Sequence, residues 1–527
     1  MSSEKDKSKT NSEAKDQSEE KIPLPRSRHA SEGAESTTSE RVLPKAKVTA
    51  NLLWTIVVSV FGSSFIFGFS IGAINAPQVL IQDWMRENHE SLFKKAPSNG
   101  TMNIIYPAAV SLFAGGAMIG SLVSAILADR LGRKLSLHVN NVFAIVGSIL
   151  MTIAPLVNVY PLFHIGRFII GLNAGIGSSL VPLFLTEIAP VHMRGAIGTV
   201  PQFLVTASVL VSQIFGLPQI FGTAKMWPYI FAVTLVPSIF QSIAFFFVVE
   251  SPKFTLIIKH NEAKATKDLA TLRGVPEDGV AAEIKVIDKE ANANADAPAL
   301  RWYDLFKRPL LWPLFLACFL QCSQQLTGIN AAMFYSTQIF RSAGLTGNWP
   351  VYATLIMGLV NVLQTIVSFY LIDSPRFGRR SLLLIGYIGM LFAMVLLTVA
   401  INLSMNNYSA TITSWAPKGA ILFVLLFVLS FATGPGSIPF FYVSEVFDSN
   451  ARASASAMST ATNWTFNVLV GLCFPPINEA IGEYVFLIFA GFLLISMGLI
   501  VKYLPETKDK DLDEVHEEMN RKKAPCC

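Results

Sequence analysis

The chain predicts an all-α membrane protein: twelve transmembrane helices in two pseudo-symmetric six-helix bundles, joined by a cytosolic helical linker. Three observations carry this reading. Apolar stretches able to cross a bilayer, which takes about 20 residues, recur twelve times. The 527 residues are 52% hydrophobic and only 15% charged, with a mean hydropathy of +0.48; a soluble domain carries about 25% charged residues. Finally, the charges that end these stretches come in duplicate. Glu187 and Arg194 follow one apolar run, and Glu445 and Arg452 follow another at the same spacing. Asp129–Lys134 is echoed by Asp373–Arg380, and Glu250-Ser-Pro-Lys253 by Pro505-Glu-Thr-Lys508. The copies lie about 250 residues apart, so one unit is used twice, as in the halves of many secondary transporters.

In chain order, residues 1–50 are rich in Ser, Lys and Glu without an apolar run. They read as a disordered cytosolic tail, neither a signal peptide nor a folded domain. The N-terminal bundle, 51–249, holds spans 52–75, 104–128, 136–156, 160–186, 196–218 and 228–248. Residues 250–308 are strongly polar, and Glu262–Leu272 and Val280–Asn292 within them read as short amphipathic helices. The C-terminal bundle, 309–504, holds spans 309–340, 350–373, 381–402, 416–443, 454–477 and 481–503, and 505–527 is a cytosolic tail.

Orientation follows from basic residues in short loops. Arg130, Arg133, Lys134, Arg194, Arg376, Arg379, Arg380 and Arg452 fall on one side, placing both termini and the linker in the cytosol. The 76–103 loop, with Arg86, Lys94 and Lys95, runs against the trend. The acceptors Asn99, Asn402 and Asn407 then lie outside, which favours a multi-pass protein of the plasma membrane. The net charge of +5 forms no compact basic patch, so nucleic acid is not a partner. Cys318, Cys322 and Cys473 sit in apolar runs with no metal or disulfide spacing. Cys526 and Cys527 read as free thiols on a reduced tail, with lipidation the alternative. No metal or cofactor is expected, and no nucleophile–base set marks an enzyme.

The spans carry ten amides: Gln202, Gln213, Gln321, Gln324, Gln325, Asn330, Asn361, Gln364, Asn463 and Asn467. One such residue is more often helix–helix glue. Ten from four spans suit a neutral ligand covered in hydroxyls, because amides both donate and accept. Trp464 can stack on the apolar face of a sugar ring. Asp129, Glu187, Asp373, Glu445 and Glu479 all lie near span ends, so no mid-span carboxylate is available to titrate. That favours downhill movement. Span histidines His138 and His164 read as interfacial. Gly434-Pro435-Gly436 and Pro439 break span ten, and Gly328 breaks span seven, as swinging half-helices require. Gly116/Gly120 and Gly171/Gly175 have the spacing of close helix packing. The duplicated caps predict ion pairs Glu187–Arg194 and Glu445–Arg452, joined by Asp129, Arg133, Asp373 and Arg379, that latch the halves together on the cytosolic side.

Together these residues resemble the sugar porters of the major facilitator superfamily, and most closely the animal facilitative glucose transporters. The resemblance runs from about Leu52 to Lys508 and rests on Gln324-Gln-Leu-Thr-Gly-Ile-Asn330, Gly434-Pro-Gly-Ser-Ile-Pro439, Glu250-Ser-Pro-Lys253 and Pro505-Glu-Thr-Lys508. It implies that Gln202, Gln324, Gln325, Asn330, Asn361 and Asn467 hydrogen-bond a hexose, that Ile329 and Trp464 line its pocket, and that Tyr335 gates the outer side. It implies a latch of Arg133, Glu187, Arg194, Glu250, Arg379, Glu445 and Arg452, with Gly434, Pro435 and Pro439 at the moving break. Ser70 stands where proton-linked relatives carry an Asp. Four departures stand out. Ala432 and Phe440 replace a family Glu and Trp around the span-ten break, which puts Phe440 on the pocket wall. Gln321-Cys322-Ser323 replaces Gln-Leu-Ser. Ser374-Pro375 is inserted in the second latch motif, and Val249 replaces a Pro. The expectation is a hexose uniporter, glucose first and fructose next, with a proton-coupled sugar or polyol symporter and a sugar-sensing receptor as rivals. Its partners are the hexose and the bilayer; the oligomeric state stays open.

Overall fold

The computed structural model describes residues 48–190, 193–295, 302–405, 410–447, 449–508, 510 and 512–522, and they are helical with short connections. The disordered tail expected over 1–50 lies almost wholly outside these residues, as do Cys526 and Cys527. In the N half, α1 (Ala50–Phe61) and α2 (Ser64–Gly72) make span one. Its break at Gly62-Ser63 leaves carbonyls short of helical donors, Val58 O keeping only a 3.5 Å bond from Gly62 N. Gln241 supplies them, donating Nε2 to Val58 O at 2.8 Å and Ser59 O at 3.0 Å. Spans two to five are α4 (Asn99–Leu131), α5 (Arg133–Leu156), α6 (Tyr160–Ile188) and α7 (Arg194–Phe215). Span six is split into α8 (Pro228–Ala232) and α9 (Leu235–Ala244). The glycine stripes do pack α4 on α6: a Cβ on Gly175 would sit 2.0 Å from Ala117 O, and one on Gly171 2.1 Å from Phe113 O.

The linker folds as α10 (Pro252–Ile257), α11 (Glu262–Arg273) and α12 (Ala281–Ala295). Thr49 donates Oγ1 to Leu272 O at 2.6 Å, and Arg273 donates to Ile188 O at 2.9 Å, so the linker is pinned to the N half. In the C half, span seven is α13 (Leu311–Leu326) and α14 (Ile329–Ser342), hinged at Gly328 with φ +81°. Only glycine adopts that conformation without strain. Spans eight and nine are α15 (Trp349–Asp373) and α16 (Arg379–Met405). Span ten is α17 (Ala410–Thr433) and α18 (Ile438–Val446), and spans eleven and twelve are α19 (Ser449–Ile481) and α20 (Val485–Tyr503).

Among the described residues, ten stretches satisfy length and apolarity for crossing a membrane. Ser454–Tyr503 contains two crossings, α19 and α20, and span seven, which carries the amides Gln321, Gln324, Gln325 and Asn330, is not among the ten but is formed by α13 and α14, so the helices give the expected twelve. Large apolar side chains such as Val236, Phe246, Phe392 and Leu494 are more than half exposed around the outside, as lipid contact requires. Two helices depart from the expectation. The 76–103 loop contains α3 (Gln78–Phe93), anchored by buried Ile81, Met85 and Asn88 at helical spacing. The 505–527 tail contains α21 (Leu512–Arg521), which buries Val515 and Met519 and lies against α18.

Candidate functional site

A cavity of about 390 Å³ separates the halves on the side that carries the linker. Asp129, Arg379, Glu445 and Arg452 stand on its wall, with Gln202 and Phe440. Trp464, 3% exposed, is wedged between Phe67 at 5.2 Å and Phe113 at 5.9 Å. The opposite side is sealed by bonds between halves. Asn75 donates to Met333 O at 2.7 Å and Ser336 Oγ at 2.6 Å, and accepts from Thr337 N at 3.3 Å. Gln78 donates to Gln338 Oε1 at 2.9 Å, and Gln219 to Tyr352 Oη at 2.7 Å. Tyr335 is fully buried here, stacked on Phe474 at 5.4 Å, edge-on to Tyr106, and donates to Gly471 O at 3.0 Å. The conformation is open on the linker side and closed on the other.

The span-seven amides meet the span-ten break. Gln324 donates Nε2 to Pro435 O at 2.8 Å and Gly436 O at 3.1 Å, and Gln321 donates to Pro439 O at 3.2 Å. These carbonyls belong to the stretch where Pro435 and Pro439 interrupt helical bonding. Gly434 packs so tightly that a Cβ there would lie 2.6 Å from Leu382 O. Asn463 donates to Gln321 Oε1 and Gln324 Oε1, both at 2.7 Å, and accepts from Gln325 at 2.9 Å; Asn330 donates to Gln325 Oε1. Gln364 donates to Thr433 Oγ1 at 3.0 Å. Asn361, Asn467 and Ile329 are buried at 4%, 3% and 3%. Asn467 Oδ1 and both side-chain polar atoms of Gln213 are buried without a hydrogen-bond partner among the described residues. So six amides are engaged with one another or with the span-ten stretch, while Gln202, Gln213 and Asn467 keep unused capacity.

The charged caps form two matching boxes. In the N half, Arg133 grips Glu187 Oε1 at 2.8 and 3.1 Å, Ser251 donates to Glu187 Oε2, and Glu250 accepts the N–H groups of Arg133 and Lys134, each at 3.1 Å. In the C half, Arg379 meets Glu445 Oε1 at 3.2 Å, Thr507 donates to Glu445 Oε2, and Glu506 accepts the N–H groups of Arg379 and Arg380 at 2.7 and 3.2 Å. Each acid thus caps the first turn of a helix, α5 or α16. Glu187 pairs with Arg133, and the side chains of the expected Arg194 and of Asp373 lie outside the described residues. Glu445 likewise pairs with Arg379, while Arg452 donates to Phe447 O at 3.2 and 3.3 Å. Both pairs stay within one half here.

Four participants escape the sequence reading. Glu506 and Thr507 were visible in the repeated Pro-Glu-Thr-Lys motif. Asn75 gave no signal. Arg167 sits in the fourth span with no exposed surface; it donates to Ser70 O at 2.8 Å and Ala109 O at 3.1 Å and lies 4.7 Å from the Phe113 ring centre. Of the acceptor asparagines, Asn402 is engaged with Glu483 Oε1 at 2.8 Å, and Asn407 and the Asn99 side chain lie outside the described residues.

The profile of the sugar (and other) transporter family matches residues 55–519. The chain belongs to that family. It is 46% identical over 488 residues to facilitated glucose transporter protein 1 of Caenorhabditis elegans, covering 93% of this chain and 94% of that one. It is 37% identical over 471 residues to the rat solute carrier family 2, facilitated glucose transporter member 3, covering 89% and 93%. Among solved structures it superposes on the xylose transporter XylE of E. coli in a partially occluded inward-open conformation, with a TM-score of 0.71 at 21% identity, over 88% of this chain and all of that one. The fold is that of the major facilitator superfamily. The protein is a multi-pass membrane sugar transporter and not an enzyme.

Proposed function

We propose that this transporter is a facilitative hexose carrier of the plasma membrane, with D-glucose its first substrate, and that the linker and both termini face the cytosol. The observation that carries the reading is the cavity between the halves, lined by Gln202, Phe440 and the Phe67 ring on which Trp464 packs, with the Asn75 seal closing the opposite side. The amide cluster is built for hydroxyls. A hexose rising from the cavity exchanges its hydroxyls into bonds that Gln324, Gln325, Asn330 and Asn463 now make to one another, and meets the open valences of Asn467 and Gln213. Asn361 and Ile329 complete the pocket. Because ligand bonds replace existing ones, the net gain is modest: a millimolar constant needs about 4 kcal/mol.

Alternating access then swaps the two closures. The Asn75 seal and Tyr335 open on the outside, while the two boxes approach across the cytosolic mouth with Arg194 and Arg452 between them. α14 and α18, freed at Gly328 and Gly434, are the elements that tilt. Arg167 supports passive transport. Its charge meets carbonyls and a ring face among the described residues, so no carboxylate beside it has to gain and lose a proton. Of the three acceptors, Asn99 and Asn407 are preferred for the glycan because the Asn402 amide is occupied.

Purified protein in liposomes tests this. Labelled glucose should equilibrate without accumulating, at a rate unmoved by collapsing a pH gradient, and unlabelled fructose should compete less well than glucose. Uphill uptake driven by protons alone would establish the symport reading, and binding without flux the sensor reading.

A further inference from the structure

A second cavity, about 880 Å³, lies outside the solute path where α10 and α11 meet the N half. Leu135, Phe245, Phe246 and Val249 form an apolar wall, with the His138 ring set against the two phenylalanines. Leu135 is 46% exposed and Phe246 75%, at the first turn of span three and the end of span six. The mouth therefore sits at the edge of the bilayer. Three lysines from three elements face the same space: Lys134, Lys259 and Lys264. None of them is ion-paired with a carboxylate among the described residues; Lys259 Nζ rests 5.6 Å from the Phe254 ring centre.

Two carboxylates also face the cavity. Glu250 is occupied by the N–H groups of Arg133, Lys134 and Ser251. Asp268 is not: it is 9% exposed, and its Oδ2 is buried with no hydrogen-bond partner among the described residues. An unmet buried carboxylate oxygen calls for a donor. Burial raises the Asp268 carboxyl above the ordinary range, against the pull of Lys264, Lys134 and Lys267. Three lysines less two carboxylates leave the lining with one positive charge. The complement has an acyl chain for the wall, a net negative charge for the lysines and an N–H donor for Asp268.

We propose that this cavity binds an anionic, amine-bearing glycerophospholipid of the linker-side leaflet, of the phosphatidylserine class. Its phosphate and carboxylate lie among Lys134, Lys259 and Lys264, its ammonium meets Asp268 Oδ2, and an acyl chain follows Leu135 and Phe246. Such a lipid joins the linker helices to spans three and six.

The test uses the full chain in detergent, with phosphatidylserine, phosphatidylglycerol and phosphatidylcholine offered at equal concentration and retained lipid counted by native mass spectrometry. Wild type should retain phosphatidylserine above both others. Lys259→Glu/Lys264→Glu should weaken retention about fivefold per lysine, following the attraction of one basic residue for an anionic surface. Asp268→Asn should reduce the serine lipid and leave phosphatidylglycerol unchanged. Should the charge-reversed protein misfold in a thermal scan, Lys259→Gln/Lys264→Gln gives the same readout in smaller measure. Equal retention of phosphatidylserine by the lysine variants, phosphatidylcholine or phosphatidylglycerol held as tightly as phosphatidylserine in wild type, or displacement by soluble glycerophosphoserine at equal concentration would each overturn the proposal.

Discussion

The two charged boxes are copies, yet they face different things. Arg133–Glu187 is 11% exposed on both sides, held by two N–H groups on one oxygen, and overlaid by α10, whose Phe254 ring lies 5.1 Å from the Arg133 guanidinium. Arg379–Glu445 is 16% and 23% exposed, makes one contact at 3.2 Å, and stands on the wall of the solute cavity. The duplication thus preserved a helix-capping device while its surroundings divided the labour. The covered copy lies under the linker, and the open copy lines the cavity. Buried charges are costly to orphan and exposed pairs are cheap to break, so the same substitution should read differently in the two halves.

The largest expected effect is Arg133→Leu. It leaves Glu187 with only Ser251, and should destabilise the protein by about 3 kcal/mol, visible as a lowered unfolding temperature and looser exchange protection across α10 and α11. Equal destabilisation by Arg379→Leu would break the division of labour. Asn75→Ala probes the closure opposite the boxes. Losing three hydrogen bonds between halves should cost the sealed state about 2 kcal/mol. Labelling of a cysteine at Tyr335 from the opposite side should rise, by more than tenfold.

Arg379→Leu should leave stability nearly unchanged but bias the conformational balance by about 1 kcal/mol. Transport then falls several-fold while sugar binding persists. The smallest effect lies in α21, beside the C-half box. Burial raises the Glu518 carboxyl, but bonds from Lys510 and Lys522 outweigh this and bring it down from 4.5 to about 2. A depressed carboxylate stabilises the docked helix above pH 4.5, and that contribution is lost as the pH falls toward about 2. Hydrogen exchange over residues 512–522 should accelerate through that window. Glu518→Gln should exchange faster at neutral pH and lose the dependence.

Much of this molecule was legible in the chain. The twelve apolar runs, the Gly328 and Gly434 breaks, the glycine stripes of α4 and α6 and the paired motifs are local signals, and each appears where its pattern put it. The linker helices came within a few residues. α3 and α21 did not, because fewer than five turns of mixed composition resemble a polar loop until a neighbouring surface covers them.

What the chain could not tell was who meets whom. Spacing within one motif pointed Glu187 to Arg194, whose side chain lies outside the described residues; it did not show that Arg133, fifty-four positions away, grips the carboxylate where α5 begins beside the end of α6. Ten amides were visible as polar residues in apolar helices. Only the packing of α13 against the α17–α18 break turned Gln321 and Gln324 into partners for bare carbonyls and left Asn467 with an open valence. Arg167 was one charge in a long apolar run, and its carbonyl partners come from two other helices. Helical periodicity and breaks are written in neighbouring residues. Hydrogen-bond and charge partners are set by distances across helices, so tertiary structure alone decided them, together with which mouth stands open.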